Sequence, residues 1–136
     1  MHISTPNDSE FESIKKYISE FELDNRDLKK EQFIIAKKKN ELVGFGRIRK
    51  HSSCDELCSL GVIIKERKKG IAKQLIQQFI KLSNQPFYLV CIIPELFIPF
   101  GFKIVTEYPE ELKNKLHYCT GELIVEEEYV VMKYLN

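Results

Sequence analysis

The 136-residue sequence has almost no charge imbalance: 21 Lys and Arg against 20 Asp and Glu leave a formal net charge of +1. A chain this close to neutral carries no global field to draw in nucleic acid or an anionic membrane, so any basic site must be local. No apolar run approaches the roughly 20 residues that cross a bilayer, and the start, Met1-His2-Ile3-Ser4-Thr5-Pro6, shows no charged segment followed by an apolar one. The expectation is a cytoplasmic protein without nucleic acid or membrane as partner. The four cysteines, Cys54, Cys58, Cys91 and Cys119, form no Cys-x-x-Cys knuckle, which reads as reduced thiols rather than a disulfide framework or a metal site. Neither the Walker loop G-x-x-x-x-G-K-[ST] nor the dinucleotide fingerprint G-x-G-x-x-G occurs, and with them go two common phosphate-binding loops.

What is present suits one ordinary globular core. The 43% hydrophobic share is too high for a disordered chain, and with no linker or internal repeat the expectation is a single domain over residues 1–136. Thr5 reads as a helix cap with Pro6 at the first position, followed by Phe11, Ile14, Tyr17, Ile18 and Phe21 at helical spacing. Phe33 to Ala36 and Leu42 to Ile48 read as two strands joined by the polar turn Lys39-Asn40-Glu41. Leu57 to Ile64 is apolar enough to be buried on both faces. Ile71, Leu75, Ile76, Phe79 and Ile80 then form a helical stripe, and Phe87 to Ile93 is a second buried strand stopped by Pro94. A helical turn at Pro94–Phe100, a strand at Phe102–Glu107, a helix at Pro109–Tyr118 and a last strand at Tyr129–Tyr134 complete the order. The class is α/β: a mixed, mostly antiparallel sheet with one central parallel strand-helix-strand crossover.

The crossover carries the first chemical signal. Where a buried strand runs through a glycine turn into a helix, the first amides of the helix lack internal acceptors and converge with the positive end of the dipole, which suits an anion. Gly70 admits close approach of a phosphate, and Lys68, Lys69 and Lys73 add cations. Taken alone, Arg67 to Lys69 also reads as a solvated charge run and Gly70 as an easy turn. The position favours a ligand, because open α/β sheets bind ligands beyond the carboxyl ends of their strands.

Arg67-Lys68-Lys69-Gly70-Ile71-Ala72 resembles the [RQ]-x-x-G-x-[GA] signature of the GNAT superfamily of acetyl-CoA-dependent N-acetyltransferases. Leu60 to Glu66, the Phe100-Gly101-Phe102 landmark and the closing Val130 to Tyr134 are similar as well. The resemblance implies that backbone groups of Val62, Ile63 and Ile64 hold the pantetheine arm of acetyl-CoA. Amides and side chains of Arg67, Lys68, Lys69, Gly70, Ile71, Ala72 and Lys73 would then hold its pyrophosphate. It also implies that the amide near Val62 polarises the thioester carbonyl.

An ammonium cannot attack that carbonyl until it loses a proton. Glu56 stands where strand-borne glutamates act as bases in some members of the family, and strand alternation would place it on one face with Cys58, Leu60 and Val62. It also reads as the exposed start of a strand. Many members carry a tyrosine four residues before the landmark glycine as general acid; here that position is Phe97, so the motif names no acid. His51 and His117 read as surface histidines, and Cys58 and Cys91 as buried structural thiols. The segment from Tyr108 to Leu112, with Lys115 and Cys119, is weakly similar to amino-acid N-acetyltransferases of the N-acetylglutamate synthase type. The function implied is acetyl transfer from acetyl-CoA, without a metal, to a primary amine of a small molecule such as an amino acid. An inactive acyl-CoA-binding regulatory module, a peptide amine acetyltransferase and a homodimer stay open.

Overall fold

Asn7 starts the first helix, α1 (Asp8–Glu20). Its side chain accepts from the Glu10 amide at 2.8 Å, and Glu10 Oε1 accepts from the Asn7 amide at 2.9 Å. This reciprocal capping box satisfies two donors at once, which is why the helix begins after Pro6 rather than at it. The computed structural model describes residues 1–122 and 128–135. The chain groups into two units, Met1–Ile48 with Leu57–Leu82, and Arg49–Glu56 with Ser83–Asn136.

In the first unit a strand too short for any sequence pattern, β1 (His2–Ser4), pairs antiparallel with β2 (Phe33–Lys38), Ile3 opposite Ala36. β2 pairs antiparallel with β3 (Glu41–Lys50), and a bulge falls between Ala36 and Lys37. The turn between them puts Lys39 and Asn40 in the left-handed region, φ 48° and 67°, the conformation whose twist matches a two-residue hairpin. Ile14 and Ile18 of α1 pack on Phe33, Ile35 and Phe45; each such buried side chain contributes about 1.5–3 kcal/mol.

Next to β3 lies β4 (Asp55–Val62), which begins two residues earlier than its apolar run and ends two residues sooner. A short 3-10 turn (Ile64–Glu66) then leads to α2 (Ile71–Leu82), whose Ile71, Leu75, Ile76 and Phe79 are buried. α2 lies close because β3 offers it no side chain at Gly44, where a Cβ would sit 2.7 Å from Ile71 Cγ2.

Ser59 interrupts β4 with φ 55°. Beyond it Leu60 lies beside Phe79 against Gly46, and Gly61 lies under the Phe45 ring. Ser59 itself turns to Arg47, and only 3.8 Å separates its Oγ from Cys58 Sγ. The irregular residue breaks the period of two, so alternation does not carry from Glu56 through Cys58 to Leu60 and Val62.

The second unit holds β5 (Phe87–Cys91), α3 (Pro94–Phe97) with a following 3-10 turn (Ile98–Phe100), β6 (Phe102–Ile104), α4 (Glu110–Glu122) and β7 (Val130–Tyr134). β7 runs antiparallel between β5 and β6, with Leu89 and Ile104 both opposite Met132. α4 packs on β5 and β7, and its Leu112 joins Cys54, Tyr88 and Val131 in a buried cluster.

Candidate functional site

In the first unit the turn from Val62 to Lys73 is shaped by its own arginine. Arg67 Nε donates to the Val62 carbonyl at 2.9 Å, and its guanidinium lies 5.0 Å from the centroid of the Phe21 ring. The Ile63 amide donates to the Val43 carbonyl at 2.9 Å. Lys68 and Gly70 both adopt left-handed backbone, φ 65° and 83°, with Arg67, Lys68, Lys69, Gly70 and Lys73 exposed. Nothing lies within 4 Å of a Cβ placed on Gly70. Within α2 the Gln74 amide bonds to Gly70 O at 3.2 Å, and the amides before it belong to the first turn, whose N–H groups have no acceptor inside a helix. Ile71 is buried and anchors that turn, Ala72 is half-buried and Ile64 is 64% exposed. Lys69 is shared with Glu66 at 3.4 Å, which Lys38 also meets at 3.2 Å. The turn is therefore an open, cation-rimmed helix start of the kind that holds an anion.

In the second unit Glu56 is not at an exposed strand start but fully buried. His51 Nε2 lies 2.9 Å from its Oε1, and Lys115 Nζ from α4 lies 3.4 Å from its Oε2, a distance of ion pairing without a hydrogen bond to that oxygen. Burial opposes its ionisation, but the His51 hydrogen bond and the charges of Lys115, Arg49 and His51 outweigh burial and hold the carboxyl below its usual range. Glu56 is thus a buried carboxylate whose Oε1 meets His51 and whose Oε2 is paired with the Lys115 ammonium.

His51, expected at the surface, has a side chain only 16% exposed. Its amide donates to Cys54 O at 2.9 Å, and its carbonyl accepts from Gln85 Nε2 at 3.1 Å. The same turn is gripped by buried Asp55, which receives Ser83 Oγ at 2.9 Å, Gln85 Nε2 at 3.0 Å and the Asn84 amide at 3.1 Å. The place of Lys115 and Arg49 beside Glu56 and the placement of His51 escaped the sequence reading. The one available signal was the short spacing of His51 and Glu56 across a polar turn.

Phe97 is buried against Phe102, ring centroids 5.9 Å apart, and brings no hydroxyl. All four cysteines are buried. Burial, with Glu111, Glu56 and Asp55 nearby, pushes the Cys54 thiol up to about 11, and burial pushes Cys91 up to about 11. Neither is an activated nucleophile. No helix among the described residues is long and apolar enough to cross a membrane.

Residues 2–89 match the family model described as an acetyltransferase (GNAT) domain. The chain belongs to that family and is an acyltransferase. Among curated proteins none matches it. In fold it is similar to Rv2747 of Mycobacterium tuberculosis, solved in complex with CoA and NLQ, with TM-score 0.79, 14% identity, and 100% of this chain and 99% of that one covered. It is also similar to N-acetylglutamate synthase of Neisseria gonorrhoeae complexed with coenzyme A and N-acetyl-glutamate, with TM-score 0.74 and 14% identity over 99% of this chain and 35% of that one. A third likeness is to Arabidopsis thaliana Naa50 in complex with the bisubstrate analogue CoA-Ac-MVNAL, with TM-score 0.71, 16% identity, and 99% and 98% covered. At these identities the likenesses establish the fold, the mixed α/β class expected from the sequence.

Proposed function

We propose that residues 1–136 act as one N-acetyltransferase domain that moves the acetyl group of acetyl-CoA directly to a primary amine of a small molecule such as an amino acid. The observation that carries this reading is the left-handed turn at Lys68 and Gly70 opening α2 inside the family signature. Amides from Arg67 to Lys73 would take the pyrophosphate, with Lys68, Lys69 and Lys73 supplying charge. Backbone groups of Val62, Ile63 and Ile64 would take the pantetheine arm. The structures solved with CoA and with N-acetyl-glutamate support acetyl-CoA as substrate and an amino acid as acceptor. A cytoplasmic location suits four buried cysteines without a Cys-x-x-Cys knuckle.

The acceptor arrives as an ammonium. In this reading Glu56 takes one proton, the nitrogen lone pair attacks the thioester carbonyl, and the tetrahedral intermediate loses its second nitrogen proton to solvent as it expels CoA thiolate. With Phe97 in place of a tyrosine, solvent supplies the thiolate proton. That same Phe97 favours a second reading, an acyl-CoA-binding module without turnover.

Free CoA release measured with amino acids, polyamines, aminoglycosides and the peptide MVNAL tests both. Turnover with an amino acid supports the first reading. Turnover with the peptide alone moves the acceptor to protein amines, and tight acetyl-CoA binding without release favours the module. Glu56→Gln tests the base: a loss of about 10²–10⁴-fold in kcat is expected, and an unchanged rate and pH profile would sink the assignment.

A further inference from the structure

We propose that Arg67 serves acetyl-CoA through the backbone and not by touching its phosphates: its guanidinium latches the Val62 carbonyl to the Phe21 ring and so holds the exit of β4 in the shape that takes the pantetheine arm. The inference rests on the reading of the turn from Val62 to Lys73 as the acetyl-CoA site, and makes Arg67 a positioning residue for it. Nε donates to Val62 O at 2.9 Å and the guanidinium carbon lies 5.0 Å from the Phe21 centroid, so the planar cation is engaged both at its edge and on its face. The Arg67 amide is spent inside the turn as well, on Ile64 O at 3.3 Å. The next residue along the strand exit is tied too, since the Ile63 amide donates to Val43 O of β3 at 2.9 Å.

Phe21 is a fixed platform for that cation. It is the C-cap of α1, and beyond it Glu22 turns left-handed, φ 56°, with its amide on Ser19 O at 3.3 Å and the Leu23 amide on Ile18 O at 2.9 Å. These are the paired bonds of a Schellman closure, which sets the direction of the cap residue. The Phe21 ring stacks on Tyr17 at 5.5 Å, Tyr17 stacks on Phe45 at 6.2 Å, and Phe45 is fully buried against Gly61 of β4. The stack therefore runs from the exposed guanidinium into the core and returns to the strand whose end Arg67 holds. What the latch needs is a donor at one place. Arginine Nε and glutamine Nε2 stand the same number of bonds from Cα, whereas the lysine nitrogen stands one bond further out and keeps the charge. Glutamine can thus replace the hydrogen bond without the charge, and lysine the charge without the planar donor.

The test measures affinity for CoA by calorimetry, which needs no turnover, in wild type, Arg67→Ala, Arg67→Gln and Arg67→Lys. Arg67→Ala should bind CoA about tenfold more weakly, and with an acceptor that turns over should raise KM for acetyl-CoA more than it lowers kcat. Arg67→Gln should recover most of that affinity and Arg67→Lys little of it. S-acetylpantetheine, which carries no phosphate, should lose kcat/KM in Arg67→Ala by the same factor as acetyl-CoA does. Phe21→Leu should weaken CoA by a smaller factor, and should add nothing in the Arg67→Ala background, because the two side chains act as one latch. Arg67 is exposed, and a urea midpoint near that of wild type shows that a variant keeps its fold. Recovery by lysine instead of glutamine, a loss confined to the phosphate-bearing substrate, or all three Arg67 variants binding CoA like wild type overturns this inference alone. A wild-type protein that does not bind CoA overturns the reading of the turn along with it.

Discussion

Arg47, fully buried on β3, donates from Nε to the Ser59 hydroxyl at 2.9 Å, and Ser59 donates onward to the Asp24 carbonyl at 2.7 Å. The other guanidinium nitrogens reach Gln32 Oε1 at 2.9 Å and Asp24 O at 3.2 Å. This network holds Ser59 in left-handed backbone, where a non-glycine residue costs roughly 1–2 kcal/mol, and so fixes where β4 changes face before Val62.

Removing the hydroxyl and relieving the backbone can be separated by substitution. Ser59→Ala leaves a buried donor on Arg47 and should destabilise by about 1–3 kcal/mol in urea unfolding. Ser59→Gly loses the same hydrogen bonds but not the freedom to adopt φ 55°, and should be the more stable of the two by about 1 kcal/mol. The reverse order would mean that the left-handed conformation is not strained.

Two glycines should respond to alanine for different reasons. At Gly44 the new methyl would meet Ile71 Cγ2 at 2.7 Å, and a β-branched neighbour yields little, so a loss of about 1–3 kcal/mol in unfolding free energy is expected. At Gly70 there is room but φ is 83°; the cost is conformational, about 1 kcal/mol. If this turn holds pyrophosphate, Gly70→Ala should raise KM for acetyl-CoA more than it lowers kcat. Equal affinity for CoA by calorimetry would count against the turn as the phosphate site.

Asp55 should make stability depend on acid pH. Its burial opposes ionisation, but bonds from Gln85, Ser83, Lys50 and the Asn84 amide outweigh it and lower the folded-state value below the ordinary 3.8. The unfolded chain therefore binds this proton first as pH falls. The stabilisation is fully present above the unfolded value and is lost as pH drops through the folded one. Asp55→Asn should be less stable than wild type at pH 7, and the gap should close below about pH 4, as read by denaturant midpoints at each pH.

The cysteines should be silent until the fold opens. With all four buried and Cys54 and Cys91 pushed up to about 11, a thiol reagent at pH 8 should react slowly with native protein and fast in guanidinium. Rapid labelling of Cys54 in the native state would contradict its burial.

Much of the fold was legible because its determinants are local. The stripe from Ile71 to Phe79 has helical period, so α2 fell where expected. Lys39 and Asn40 between two apolar runs marked the hairpin. The cap went to Asn7 rather than Thr5 because only Asn7 finds a glutamate three residues on that returns the hydrogen bond. β1 was illegible, being three residues whose strand character comes from pairing with β2.

The left-handed turn that opens α2 was legible in the sequence itself, since a glycine at a strand-to-helix junction favours left-handed backbone and exposed amides. The character of Glu56 was decided only by tertiary structure. Its burial, its His51 partner and the Lys115 charge opposite depend on a turn held by Gln85 and on the packing of α4. Ionisation follows the local dielectric and the nearest charges, and neither is written in a residue's neighbours along the chain.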